Sequence, residues 1–209
     1  MNKELVVVMA HIDDLEFSCL GYMLENRQKY DCIKLLICTS WPAKEGIFNQ
    51  NLKEIEQKLK HEIQYVNLKL EQRSLVGHFD ELKDKIYKNI KFDKNFDILT
   101  HDKADAHSDH KTIFEIMFGL YKYSDNFITV YSPSSVNYDP NYYIELSKNY
   151  YDFKHKLLTN YSFNEEQSYS GQGKYFRKEY TNVAAIYAME NFITKNMKYC
   201  EIYKIYKWS

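Results

Sequence analysis

The sequence predicts a single α/β domain spanning residues 1–209 and built on an open, mainly parallel sheet, and three observations carry that expectation. Apolar runs of strand length alternate with amphipathic stretches of helical period along the chain. The first run, Val6 to Ala10, is rich in β-branched residues and stops abruptly at His11-Ile12-Asp13-Asp14. Open α/β sheets place their chemistry at such a carboxyl end of a parallel strand. A second strand-like run, Phe96 to Thr100, ends the same way, in the His- and Asp-rich stretch from His101 to His110.

Taken in order, a strand from about Leu5 to Ala10 leads into a helix from about Asp14 to Lys29, with Phe17, Leu20, Met23 and Leu24 at helical spacing. Ile33 to Cys38 reads as the second strand, closed by a Thr39-Ser40-Trp41-Pro42 loop where proline is expected to stop regular structure. Asn51 to Tyr65 has the period of a surface helix, Tyr65 to Leu70 that of a third strand, and Phe79 to Ile90 that of another helix. After the Phe96–Thr100 strand, Ser108 or a neighbour opens a helix whose apolar face is Ile113, Ile116, Met117 and Leu120, and Phe127 to Tyr131 follows as a strand. Tyr142 to Leu146 is expected as an edge strand, Ser147 to Tyr161 as a helix and the Gly-containing stretch 167–174 as a flap-like loop. Helical spacing resumes over Thr181 to Thr194, and Cys200 to Tyr206 ends in alternating apolar residues.

Composition narrows the partners. A formal net charge of −1 argues against recognition of nucleic acid or an anionic membrane by bulk charge. No apolar run is long enough to span a bilayer, and Met1-Asn2-Lys3-Glu4 leads into a strand in place of a signal peptide, so a cytoplasmic protein is expected. Cys19, Cys32, Cys38 and Cys200 show no CxxC spacing and read as buried thiols. Oligomeric state is left open, a homo-oligomer included.

The chemistry lies at the two strand ends. His11, Asp14 and His110 can supply two imidazole nitrogens and a carboxylate oxygen to one divalent cation. Such a set leaves a position open for water, whose pKa a catalytic zinc brings to about 7; it suits ferrous iron as well. Asp13, beside Asp14, is then placed to take a proton. His107, three residues before His110, is free to donate an N–H or a proton to an oxygen gathering charge, with Asp109 and Asp105 as candidates to orient it. Taken singly, each residue has a plainer explanation as a hydrogen-bonded histidine or a helix cap; it is their combination at two strand ends that points to metal-assisted amide hydrolysis.

With Ala10-His11-Ile12-Asp13-Asp14-Leu15-Glu16 followed by His107-Ser108-Asp109-His110, the chain resembles the PIG-L/LmbE family of metal-dependent N-acetyl-sugar deacetylases. The likeness extends through Thr39-Ser40, Ile144 to Ser147 and Glu190-Asn191-Phe192, and so over nearly the whole chain. It implies a Rossmann-like fold with helices on both faces of the sheet, zinc on His11, Asp14 and His110, Asp13 as general base, and His107 as electrostatic catalyst or acid supported by Asp109. The implied substrate is a small molecule carrying an acetamido sugar. Ile12 and Leu15 depart from the family's proline and glutamate, and Asn51 stands where the family has a substrate-contacting arginine. That last change implies a substrate other than the simplest glucosaminyl conjugates, with Trp41, Tyr138 and Tyr169 as candidates to stack on a sugar. A non-catalytic carbohydrate-binding protein with a residual metal site is the competing reading. It gives no reason for a spare base and a spare donor. A dinucleotide-binding module is set aside for want of G-x-G-x-x-G after the first strand.

Overall fold

Residues 3–92, 95–161 and 199–207 are described by the computed structural model. The first strand, β1 (Lys3–Met9), is buried from Glu4 onward. Its side chains alternate between two cores: Leu5, Val7 and Met9 meet one, while Val6, Val8 and Ala10, just beyond it, meet the other. A strand covered on both faces requires that period of two and a continuous apolar run.

Around β1 the sheet is ordered β3-β2-β1-β4-β5-β7-β6, where β2 is Cys32–Thr39, β3 Ile63–Leu70, β4 Asn95–Thr100, β5 Phe127–Val130, β6 Tyr142–Glu145 and β7 Cys200–Lys207. The pairings β1–β2, β2–β3, β1–β4 and β4–β5 are parallel, and β7 runs antiparallel to both β5 and β6. One face is covered by α1 (Leu20–Asn26), α2 (Pro42–Leu59) and α5 (Lys148–Tyr161), the other by α3 (Phe79–Lys88) and α4 (Ser108–Phe118). The expected α/β architecture is therefore present. From β1 the chain builds outward to β2 and β3, then returns to the other side of β1 as β4, so the carboxyl ends of β1 and β4 flank the switch in strand order where such sheets open a crevice.

Several elements depart from the sequence expectation. Pro42 starts α2 instead of ending structure, because a proline in the first helical turn gives up an N–H that would have had no partner. The helix stops at Leu59, where Lys60 turns into the left-handed region (φ 55°), so Ile63 and Tyr65 belong to β3. The helix expected from Asp14 enters as a π-helical turn, Leu15–Cys19, before α1. Two amides of this segment leave the helical ladder for β7: Gly21 N–H donates to Glu201 Oε2 at 2.8 Å and Tyr22 N–H to Tyr203 Oη at 2.9 Å. A Cβ at Gly21 would lie 2.7 Å from Glu201 Oε2, so only glycine admits this approach. Lys154 of α5 neutralises Glu201 at 2.6 Å, joining α1, α5 and β7 through one buried ion pair.

β7 does not sit at the margin as a last strand would suggest. It is inserted between β5 and the edge strand β6, and Cys200 to Tyr203 are buried. The expected loop at 167–174 and helix at 181–194, with Tyr169 and 190–192, lie outside the described residues. None of the four cysteines is in a disulfide, and only Cys32 is less than fully buried. Among the described residues no helix is long and apolar enough to cross a membrane.

Candidate metal centre

Where β1 ends, the Ala10 carbonyl is tied to β2 by the Thr39 amide (3.0 Å) and hydroxyl (2.8 Å), which fixes where the chain must turn. Asp14 folds back over that turn and accepts the His11 amide on Oδ2 at 2.8 Å. From the far side, α4 presents His110 in its first turn. The result is a convergence of three atoms: His110 Nε2 lies 3.2 Å from His11 Nδ1, and Asp14 Oδ2 lies 3.3 Å from His11 Nδ1 and 3.4 Å from His110 Nε2.

Those separations can be tested against a cation. A tetrahedral zinc with its ligands at about 2.0–2.1 Å spaces them about 3.3–3.4 Å apart, so the triangle is of the right size. The tautomers fit as well. The far nitrogens are taken by carboxylates, His11 Nε2 by Asp109 at 3.3 Å and His110 Nδ1 by Asp105 at 2.8 Å, so each neutral ring turns a lone pair inward. Asp105 is held in turn by the Ser132 hydroxyl and by Ser134 at 2.6 Å.

Neighbouring residues make other groupings of donor atoms within 4.8 Å, namely His11, His107 and His110; Asp14, His101 and His110; and His11, Asp13 and Asp14. Hydrogen bonding sets two of these apart, those with His101 and His107. His101 Nε2 accepts the Ala10 amide at 3.0 Å, so its lone pair is already used, although the ring stacks on His110 with centroids 3.8 Å apart. His107 caps α4, its Nδ1 accepting the Asp109 amide at 3.2 Å, which leaves the ring proton on Nε2. Its ring packs against His110 at 4.6 Å and His11 at 4.9 Å.

The carboxylates supporting the histidines are distributed differently from the sequence expectation. The Asp109 carboxylate does not bond the His107 ring. Its Oδ2 accepts the Arg73 amide at 2.6 Å and faces His11 Nε2, while Oδ1 accepts the Leu75 amide at 3.2 Å. Asp105 orients His110 and gives His107 only a backbone bond, N–H to Oδ1 at 2.8 Å. The reason is the start of α4: with His107 outside the helix and Asp109 in its first turn, their side chains diverge. His101 was given no role by the sequence, and its signal was its place directly after β4, matching His11 after β1.

Burial opposes the charge of Asp14, but the surrounding imidazoles, His110 foremost, hold its carboxyl well below the usual range. The Asp13 carboxyl is pushed up to about 6 by burial and by Asp14 beside it. Burial, with the charges of His110 and His11, keeps His107 below its ordinary value. For His11 and His110 burial is overcome: Asp109 and Asp14 lift His11 to about 9, and Asp14 and Asp105 lift His110 to about 10.

A pH dependence follows for the metal-free protein. Raised histidine values stabilise the fold fully below pH 6.5, and that contribution is lost as pH rises through about 9 and 10. The thermal midpoint of chelator-treated protein is expected to fall over this interval, while cation affinity rises and binding releases protons. A midpoint that climbs across the interval would contradict these assignments.

A family model described as GlcNAc-PI de-N-acetylase matches residues 6–120, the segment from β1 through α4 that holds His11, Asp13, Asp14, His101, Asp105, His107, Asp109 and His110. The chain belongs to the PIG-L family. Solved structures share its fold at low identity. The N,N'-diacetylchitobiose deacetylase of Pyrococcus horikoshii matches with TM-score 0.67 and 12% identity, over 97% of this chain and 83% of the other. A deacetylase of teicoplanin biosynthesis matches with TM-score 0.62 and 11% identity, over 97% of each chain. GalB, the 4-carboxy-2-hydroxymuconate hydratase of Pseudomonas putida KT2440, matches with TM-score 0.60 and 13% identity, over 99% and 96%. No curated protein matches the chain.

In this PIG-L member two residues that bore on substrate choice, Asn51 in place of an arginine and Tyr138 as a stacking candidate, are turned inward. Asn51 is wholly buried: its amide donates to Glu16 Oε1 at 2.9 Å and to the Leu157 carbonyl at 3.1 Å, and its Oδ1 accepts from Asn160 at 2.7 Å. Glu16 also receives the Tyr161 hydroxyl at 2.7 Å, and burial pushes its carboxyl up to about 8. Asn51 thus ties α2 to α5 and the π-helical turn, and its own side chain is closed off from solvent. Asn51→Leu is expected to destabilise by about 1–3 kcal/mol through the partners it strands, read by urea unfolding; an unchanged midpoint would contradict this. Tyr138 is likewise buried, its hydroxyl donating to the Thr129 carbonyl at 2.8 Å, and cannot stack on a sugar. Trp41 is half-buried against the first core.

Proposed function

We propose that this protein is a divalent-metal-dependent hydrolase that removes the acetyl group from an N-acetylated amino sugar or its conjugate, acting in the cytoplasm on a small molecule. The observation that carries the reading is the inward convergence of His11 Nδ1, His110 Nε2 and Asp14 Oδ2 at 3.2–3.4 Å, with Asp13 and His107 alongside. These three would hold the cation, zinc or ferrous iron. When bound it supplies Lewis acidity, polarising the amide carbonyl and lowering the pKa of water to about 7.

The other groups have distinct tasks. Asp13, at about 6, is ionised at neutral pH yet basic enough to take a proton from the attacking water, the matching a general base needs. The His107 Nε2–H is a neutral donor for the carbonyl oxygen as charge gathers there. Because protonating Nδ1 would set two donors face to face and break the α4 cap, the electrostatic role suits His107 better than that of acid. The proton held by Asp13 then returns to the departing nitrogen as the C–N bond breaks, giving acetate and a free amine.

The competing view, a binding protein with a residual metal site, leaves the raised carboxyl and the spare imidazole N–H unexplained. Zinc-loaded and iron-loaded protein should release acetate from at least one of a panel of N-acetylated sugars and sugar conjugates. Binding of such sugars with no acetate from any of them, under either metal, would favour the binding-protein reading instead.

A further inference from the structure

Arg73 lies in the turn after β3, and three observations single it out. Its backbone is left-handed (φ 63°), a conformation that disfavours an arginine by about 1–2 kcal/mol. Its amide donates to Asp109 Oδ2 at 2.6 Å, the same oxygen that faces His11 Nε2 at 3.3 Å, so one shared atom separates this turn from the His11 ring. Its side chain is exposed, and neither Glu71 in the same turn nor any other carboxylate among the described residues pairs with it.

The position of the turn is fixed from both sides. Ser40 N–H donates to the Leu70 carbonyl at 2.9 Å, aligning the end of β3 with that of β2, which is bonded to Ala10 at the end of β1. The Leu75 amide gives Asp109 a second backbone bond at 3.2 Å. The strain at Arg73 is therefore held by the carboxylate that orients His11, and the exposed, permanently charged side chain rooted in this turn has no carboxylate partner among the described residues. Guanidinium geometry matches a carboxylate or phosphate with two parallel hydrogen bonds, which lysine does not reproduce.

We propose that Arg73 is a specificity-determining residue that binds an anionic group, phosphate or carboxylate, carried by the substrate in addition to its acetamido group. This rests on the hydrolase reading for the identity of the substrate, but its test does not require turnover. Binding of N-acetylglucosamine, N-acetylglucosamine 6-phosphate and N-acetylmuramic acid to the zinc-loaded full chain would be measured calorimetrically, for the native protein and for Arg73→Ala, Arg73→Lys and Arg73→Gly. Glycine keeps the left-handed turn and its amide on Asp109, so it separates loss of the guanidinium from loss of the turn.

The native protein should bind at least one anionic sugar about tenfold or more tighter than the neutral one, and which one distinguishes phosphate from carboxylate. Alanine and glycine should both bring that sugar to the level of the neutral one, and lysine should restore only part of the difference. Equal binding of all three sugars, no binding of any, or a preference that survives in Arg73→Gly would overturn the proposal. Acetate release is scored separately. A preference lost in the variants, with no acetate from any sugar of the wider panel under either metal, would sink the hydrolase reading and leave the anion site standing, whereas acetate released without an anion preference would do the reverse.

Discussion

Replacing Asp13 with asparagine is expected to slow acetate release by a factor of about 10²–10⁴, the range for loss of a positioned general base, while the protein keeps its cation and its fold. The size follows from what the substitution removes. Asparagine preserves volume at this largely buried position, but it cannot accept a proton at neutral pH, whereas the native carboxyl, raised to about 6 by burial and by Asp14, can. Asp13 is also outside the triangle of converging atoms, so cation content should survive. Metal analysis alongside steady-state kinetics checks both halves. Normal turnover in Asp13→Asn would remove the general-base role, and loss of the cation would mean that Asp13 is itself a ligand.

His110→Ala should have the other large effect, on metal binding and stability together. It deletes one of three converging donors and strips Asp105 and Asp14 of the imidazole they share, at 2.8 and 3.4 Å. Removing one member of a buried ion pair is destabilising by about 3–5 kcal/mol, so the metal-free variant should unfold at clearly lower urea near pH 7. Asp105→Asn is the milder comparison. It keeps the ring and loosens only its orientation, for which about 10–100-fold in metal affinity is expected. Competition against a chromogenic chelator would rank native protein, Asp105→Asn and His110→Ala in that order; native affinity in His110→Ala would contradict the assignment.

What could be read from the sequence, and what could not, divides along a physical line. The run Val6 to Ala10 was legible because a strand covered on both faces must be apolar throughout, and its abrupt end at His11 marked a site for the same reason. That His11, Asp14 and His110 would meet was legible from residue type and from their places at two strand ends. Pairings that depend on where a helix begins were not: a shift of a residue or two in the start of α4 decides whether Asp109 meets His107 or His11, and local pattern does not fix it. The place of β7 inside the sheet was also beyond local reading, since alternation over Cys200 to Tyr206 describes a strand without saying which strands flank it. Asn51 drew notice as a departure from the family's arginine and Tyr138 as a candidate to stack on a sugar, and neither pattern reports burial. The structure turns both inward, where their hydrogen bonds are met.

The central claim is that two distant stretches of chain close on a single divalent cation. A crystal structure of the protein grown with zinc tests it most directly. The expected result is one ion with His11 Nδ1, His110 Nε2 and Asp14 Oδ2 each at about 2.0–2.2 Å, the Asp109 and Asp105 bonds behind the rings intact, and a solvent-facing position left open. An ion held elsewhere, or the two imidazoles turned apart with nothing between them, would contradict it.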